Sequence, residues 1–269
     1  MVHDFPDQAK FLSVQDRDRV IFRLAEDKQS IGRREEFSIT YLWAALKDFK
    51  TFLGMGIFMG PMMALYSIGL FLPTIISNLS LTRPDDVVRN QLLTVPPYAV
   101  ATVVTIAAGF FSDRHKRRGV YNMYFAMVGT IGFLMLAVST NPGVQYAGTF
   151  FGTAGVYASI PITVAWVANN VEGVYKRGVV MGLVIGSGNL NGIVSSALWF
   201  DAPSFSLSHS IVIIYLGVCL GLGSYLLHFV LQWENTIRAS GWRRYRVEGK
   251  SRSEVDMLGD QHPDFRYIL

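Results

Sequence analysis

The sequence predicts an all-α membrane protein of six transmembrane helices, and three observations carry that prediction. Residues Thr51–Thr82 contain no Asp, Glu, Lys or Arg, and the same is true of Asn90–Ser112, Gly119–Val171, Gly178–Phe200 and Ala202–Trp233. Only 16% of the residues are charged while 51% are hydrophobic; a soluble domain carries about 25% charge. The charges concentrate in the first fifty residues, the segment from Glu234 onward and a few short loops. A helix rises about 1.5 Å per residue, so roughly 20 apolar residues cross a hydrocarbon core of about 30 Å. Gly119–Val171 is too long for one crossing, and Asn141-Pro142-Gly143 divides it.

Three segments follow: a connector over 1–50, a six-helix bundle over 51–233 and a tail over 234–269. In the connector, a helix is expected over 13–30. Ser13 caps it, Asp16 supports its first turn, and Val14, Val20, Ile21 and Leu24 form a partial apolar stripe suited to lying under the bundle or binding a partner. No basic stretch leads into an apolar one there, so no secretory leader is expected. The spans are expected at Phe52–Ser77, Leu92–Phe111, Val120–Ser139, Gln145–Ala168, Val179–Phe200 and Ser210–Gln232.

Loop charge sets the orientation. Basic residues fill the loop after the second span (Arg114, Lys116, Arg117, Arg118), the loop after the fourth (Lys176, Arg177) and the tail, while the loops after the third and fifth have none. The loop after the first mixes Arg83 and Arg89 with Asp85 and Asp86. Lys and Arg accumulate on cytosolic loops, so both termini are expected in the cytosol. The tail is expected to be partly disordered.

Each span carries its own signal. The first has a kinked polar strip of Pro61, Tyr66, Ser67 and Pro73, with Met62 and Met63 as packing residues; the second opens on Pro96-Pro97. At its end Gly109 permits close helix approach, Asp113 can face the positive start of a neighbouring helix, and Arg114, Arg117 and Arg118 can pair with Glu172. Such contacts suit a gate at the cytosolic end; the plain alternative is a positive-inside loop. In the fourth, Tyr157 and Trp166 can stack on a flat solute, Thr163 is polar and Pro161 bends the helix; Trp166 equally suits an interfacial anchor. The fifth contains Gly182-x-x-x-Gly186, for close packing, then Asn189 and Asn191, which either bond to neighbouring helices or line a polar path. In the sixth, His228 is expected to snorkel.

Several chemistries are excluded. The expected spans contain no Asp, Glu, Lys or Arg, and no H-E-x-x-H motif, embedded Asp pair, readable Ser-His pairing or nucleotide loop is present. The chain is therefore not expected to be an enzyme, nor to hold a metal or cofactor. Its net charge of +4 flanks apolar helices, which does not suit a nucleic-acid partner. The lone Cys219 offers neither disulfide nor thiolate site.

The motif Gly109-x-x-x-Asp113-Arg114-x-x-Arg117-Arg118 resembles the signature loop of the major facilitator superfamily, which follows the second helix of each half. Further stretches are similar to the C-terminal half of fungal anion:cation symporters of the allantoate and nicotinate permease group: Gly69–Ile76, Gln91–Tyr98, Trp166–Asn170, Gly188-Asn189, Asp201–Pro203 and His262–Tyr267. Lys116 departs from the pattern, which often has Gly there. The resemblance implies one half of a major facilitator fold, with Asp4–Pro6 in the linker from an earlier half. It implies alternating-access transport of a small organic anion such as a carboxylate or ureide, coupled to a proton, in the plasma membrane rather than the vacuole. It also implies that Tyr66, Tyr157, Thr163, Asn189 and Asn191 line the path, that Gly109, Asp113, Arg114, Arg117, Arg118 and Glu172 form the cytosolic gate, and that a second six-helix half completes the carrier. The alternative is a non-transporting membrane protein that associates with a full-length transporter.

Overall fold

The computed structural model describes residues 11–26, 39–78, 87–198, 206–250, 255 and 258–269. The loop charges Arg83, Asp85 and Asp86, the Asp201–Pro203 stretch, Asp4–Pro6 and the Leu24 side chain lie outside the described residues. Two short helices precede the bundle, α1 (Val14–Glu26) and α2 (Ile39–Lys47). The bundle contains α3 (Phe49–Asn78), α4 (Val87–Leu92), α5 (Val95–His115), α6 (Arg118–Val138), α7 (Pro142–Asn169), α8 (Val174–Asn189), α9 (Asn191–Leu198), α10 (Ser206–Ile214) and α11 (Gly223–Ala239). A π-helical stretch, Tyr215–Leu222, joins α10 to α11. Six passes are long and apolar enough to cross a membrane: Phe49–Ser77, Val87–His115, Arg118–Val138, Pro142–Asn169, Val174–Ala197 and Leu207–Ala239.

Local chemistry explains the boundaries. Ser13 Oγ accepts from the Asp16 N–H at 3.2 Å and donates to the Asp16 carboxylate at 2.7 Å, which starts α1. On the α1 stripe, Val14 is exposed, and Val20 and Ile21 are half-buried. Asn141 accepts from the Gly143 N–H at 2.9 Å and Pro142 occupies the first turn of α7, so the long apolar run turns there. Lys116 ends α5 in the left-handed region (φ 52°), the only described non-glycine residue at positive φ. That conformation costs a side-chain-bearing residue about 1–2 kcal/mol, which is why a glycine suits this turn.

Pass by pass, α7 and α3 occupy the centre, with 61% and 56% of their apolar windows buried, while Val87–His115 is only 17% buried. The core joins Ile57, Met63 and Leu72 of α3 to Phe133, Trp166, Leu216 and Leu231. Outward faces are apolar too: Val103, Ile106 and Phe110 of α5 are exposed. An apolar exterior over an apolar core is the arrangement lipid permits and water does not.

The closest helix contact is between α6 and α7, and glycines make it. A Cβ on Gly132 would sit 2.7 Å from the Gly148 carbonyl oxygen, and one on Gly155 2.8 Å from the Phe125 carbonyl oxygen. The sequence reading placed close approach at Gly109 and at Gly182-x-x-x-Gly186 instead. Cβ atoms there would meet nothing within 4 Å among the described residues, because those faces of α5 and α8 point outward. Gly132→Val is expected to destabilise the protein by about 1–3 kcal/mol through overpacking, read as a lower melting temperature in detergent, whereas Gly182→Ala leaves it unchanged.

Candidate functional site

Two polar regions stand out against the apolar body. The first lies where the fifth pass breaks. α8 ends at Asn189 and α9 begins at Asn191, with Gly188 pressed against Phe58 and Met62 of α3. The Tyr66 hydroxyl of α3 donates to Asn189 Oδ1 at 2.9 Å, and the ring of Tyr66 lies against Gly192. Asn189 is exposed and Tyr66 half-buried, so the pair sits on an open face. Asn191 points the other way. It is 1% exposed and donates to the carbonyls of Met59 and Gly188 at 3.3 and 3.2 Å. It holds the break rather than lining a path within this chain.

Thr163 likewise turns inward. Fully buried, it accepts from Asn122 Nδ2 at 2.9 Å and donates to the Ser159 carbonyl at 2.8 Å, tying α6 to α7. Tyr157 is half-buried and meets Tyr98 of α5 edge-on at 5.6 Å. Of the five residues implied as lining, then, the structure joins Tyr66 to Asn189, leaves Tyr157 half-buried beside Tyr98, and commits Thr163 and Asn191 to helix contacts.

The second region is the end of the bundle that carries the basic loops. Arg118, 11% exposed, donates to Asp113 Oδ1 at 2.6 Å, and the Asn169 side-chain oxygen accepts from the same guanidinium at 3.1–3.2 Å. Asp113 thus reaches the start of α6 through a side chain rather than through helix N–H groups. At 66% exposure, its pair with Arg118 is a surface pair worth about 0–1 kcal/mol. Glu172, expected to pair with the loop arginines, has its backbone and Cβ beside Gly259 of the tail.

Within the tail, residues 258–269 dock into this end. Asp260, 1% exposed, accepts from Lys50 at the start of α3 and from Lys176 on α8, the latter at 2.6 Å; Lys176 also reaches Asp48 at 3.2 Å. Arg238 of α11 donates to the carbonyls of Asp260, His262 and Phe265 at 3.0–3.1 Å and to the Tyr267 hydroxyl at 2.9 Å. Asn235 and Asn170 each pair with the tail backbone in both directions, at Tyr267 and Ile268. Trp166 is neither an anchor nor a stacking platform. It is fully buried and its indole N–H donates to the Ile268 carbonyl at 2.8 Å. His228 does not snorkel either; its ring and that of Trp166 enclose Gly119.

Burial alone would raise the pKa of Asp260, but the charges of Lys50 and Lys176 and their hydrogen bonds outweigh it and hold the carboxyl below its ordinary value of 3.8. Sequence reasoning missed this network because its partners are 84 and 210 residues apart. It also missed His209, which is 3% exposed with its ring centre 6.1 Å from that of Phe133, because the sixth pass begins at Leu207 rather than Ser210.

This arrangement has counterparts among known proteins. Residues 11–196 match the Major Facilitator Superfamily. The chain belongs to that superfamily. It is 32% identical over 245 residues to the MFS-type transporter cnsO of Penicillium expansum, covering 86% of this chain and 46% of that protein. It is 26% identical over 261 residues to the high-affinity nicotinic acid transporter of Saccharomyces cerevisiae, covering 90% and 47%. It is also 26% identical over 271 residues to the major facilitator-type transporter hxnP of Emericella nidulans, covering 99% and 54%. The chain spans about half the length of the curated relatives it matches. The superfamily and the names of these relatives are those of membrane transporters rather than of enzymes.

In this superfamily member the tail contacts are testable. Asp260→Asn removes one charge facing two buried lysines, and breaking a buried pair costs about 3–5 kcal/mol. Hydrogen exchange over residues 258–269 is expected to lose its protection in that variant. Because folding lowers the pKa of Asp260, its contribution is complete above 3.8 and disappears as pH falls through the depressed value. Tail protection is therefore expected to hold from neutral pH down through the ordinary carboxylate range and to fail only in stronger acid.

Proposed function

We propose that the chain is the C-terminal, six-span half of a secondary active transporter for a small organic anion such as a carboxylate or ureide. It is proton-coupled, works by alternating access and belongs to the allantoate and nicotinate permease group. The observation that carries this reading is the Tyr66–Asn189 pair on the open face at the break in the fifth pass. With its oxygen taken by Tyr66, the Asn189 amide keeps N–H donors for an anionic oxygen. A polar pair exposed in an apolar span is costly unless water or a solute covers it. The name of the Saccharomyces cerevisiae relative, a nicotinic acid transporter, supports a small carboxylate.

In this reading a second six-span half covers the open faces of the second and fifth passes, which are only 17% and 28% buried. Tyr157 lines the path with Tyr66 and Asn189. The basic end faces the cytosol, with both termini, and the membrane is the plasma membrane. Asp113, Arg114, Arg117, Arg118 and Glu172 form the gate there, with Gly109 on the helix that carries it. The weak Asp113–Arg118 pair suits a contact that breaks and reforms in each cycle. The second reading, a non-transporting chain that associates with a full-length transporter, is supported by the core this half completes by itself, tail included.

Uptake of a panel of radiolabelled small carboxylates, by cells expressing the chain alone and with a second half, separates the two readings. In the complete transporter, Asn189→Leu is expected to lower uptake roughly tenfold, the equivalent of one hydrogen bond to a charged ligand, while expression holds. Collapse of expression before uptake would reduce the pair to packing. Asp113→Asn is expected to raise labelling of cysteines placed beyond the basic end. Unchanged labelling and unchanged uptake would remove Asp113 from the gate.

A further inference from the structure

Beside the docked tail, the basic end holds a groove of about 530 Å³ that none of the roles above uses. Its walls are the residues around the start of α3 and the end of α11, and tail residues Gln261 and Tyr267 complete it. Five cations line it (Lys47, Lys50, Arg238, Arg243 and Arg246) against two carboxylates, Asp48 and Glu234. Those carboxylates are already shared: Glu234 pairs with Arg238 and Arg243, and Asp48 with Lys50 and Lys176. Lys47 is exposed and forms no ion pair among the described residues. Arg246 meets the Gln261 carbonyl at 3.3 Å and, among the described residues, no carboxylate. The lining therefore carries an excess of three positive charges, and among the described residues two of its cations have no carboxylate partner.

The groove also has an apolar rim. Phe49 and Trp233, both lining it, are 53% and 62% exposed, and Phe52 and Phe229 continue the exposed aromatic surface along the same two passes. Trp242 and Tyr245 lie exposed just beyond the pass. Since Phe49 and Arg238 are close to the ends of their passes, the groove opens where hydrocarbon gives way to headgroups. Aromatic side chains collect at that level, and basic pockets between spans bind acidic headgroups there.

We propose that this groove binds the phosphate headgroup of an acidic phospholipid, with the acyl chains along Phe49, Phe52, Phe229 and Trp233. A soluble phosphate would use the cations but has no use for an aromatic rim, so the lipid is the occupant. The inference needs this end of the bundle to meet a leaflet, and does not rest on the transport reading. Because Tyr267 and Gln261 complete the groove, an occupied site requires a docked tail.

The test uses the full chain in nanodiscs of phosphatidylcholine mixed with phosphatidylserine or a phosphatidylinositol phosphate. Native mass spectrometry then counts the lipids retained on release. The wild type is expected to retain acidic lipid in preference to phosphatidylcholine. Lys47→Gln combined with Arg246→Gln is expected to lower that preference about thirtyfold, at about fivefold per surface cation. Arg244→Gln, which removes one charge outside the lining, leaves it intact. An undiminished preference in the double variant, or an equal loss in Arg244→Gln, would overturn the site. Should the double variant fail to fold, Lys47→Glu at the exposed position carries the same comparison. Inorganic phosphate is the second arm: if it raises the melting temperature of lipid-free protein as much as acidic lipid does, the occupant is a soluble anion and the lipid assignment falls.

Discussion

Hydrocarbon offers no hydrogen-bond partners, and most of this structure follows from that. Backbone groups must be satisfied within each pass, so the described residues of the six passes are helical apart from short turns at Leu93-Thr94 and Leu190. The few polar side chains in the interior find one another across passes: Asn122 with Thr163, Ser67 with Ser195, and Asn191 with the backbone beside a broken helix. Association of the passes cannot draw on the hydrophobic effect, since lipid is as apolar as leucine. Close van der Waals contact takes its place, and the glycines of α6 and α7 allow it.

Charge is treated by the same rule, but at the boundary. The Asp113–Arg118 pair is largely in solvent on the Asp113 side and contributes little to stability. The Asp260 cluster is shielded, so each of its members depends on the others. It draws the connector before α3, the start of α8, the end of α11 and the tail into one body. The core agrees with this, because Phe265 and Tyr267 pack into the same apolar cluster as Trp166 and Leu231.

Elements with a local signature were readable in the sequence. Uncharged length located the six passes, Asn141-Pro142-Gly143 the turn before α7, and Ser13 the start of α1. At the site, the spacing of Asn189 and Asn191 marked an unusual place in the fifth pass, but the facing of each amide was set by α3, which spacing does not reveal. Glycines four apart were taken for a packing face at Gly182 and Gly186, while the actual seam uses Gly129, Gly132, Gly148 and Gly155. Rows of small residues on both partner helices were the available signal there. Polar composition suggested a loose tail; its order depends on partners from four distant helices, and no local pattern encodes them.

The widened helix at Tyr215–Leu222 has a consequence for everything after it. A π-helical stretch holds more residues per turn than an α-helix, so it acts as a built-in phase shift. Each residue of an α-helix advances the azimuth by about 100°. Were the same eight residues to relax to ordinary winding, the extra rotation per residue would swing the whole distal rod around its own axis. His228, Glu234, Asn235 and Arg238 would then point away from their partners although none of them had been altered. The wide turn is in effect a clocking element: its looser winding sets the compass bearing of the distal helix.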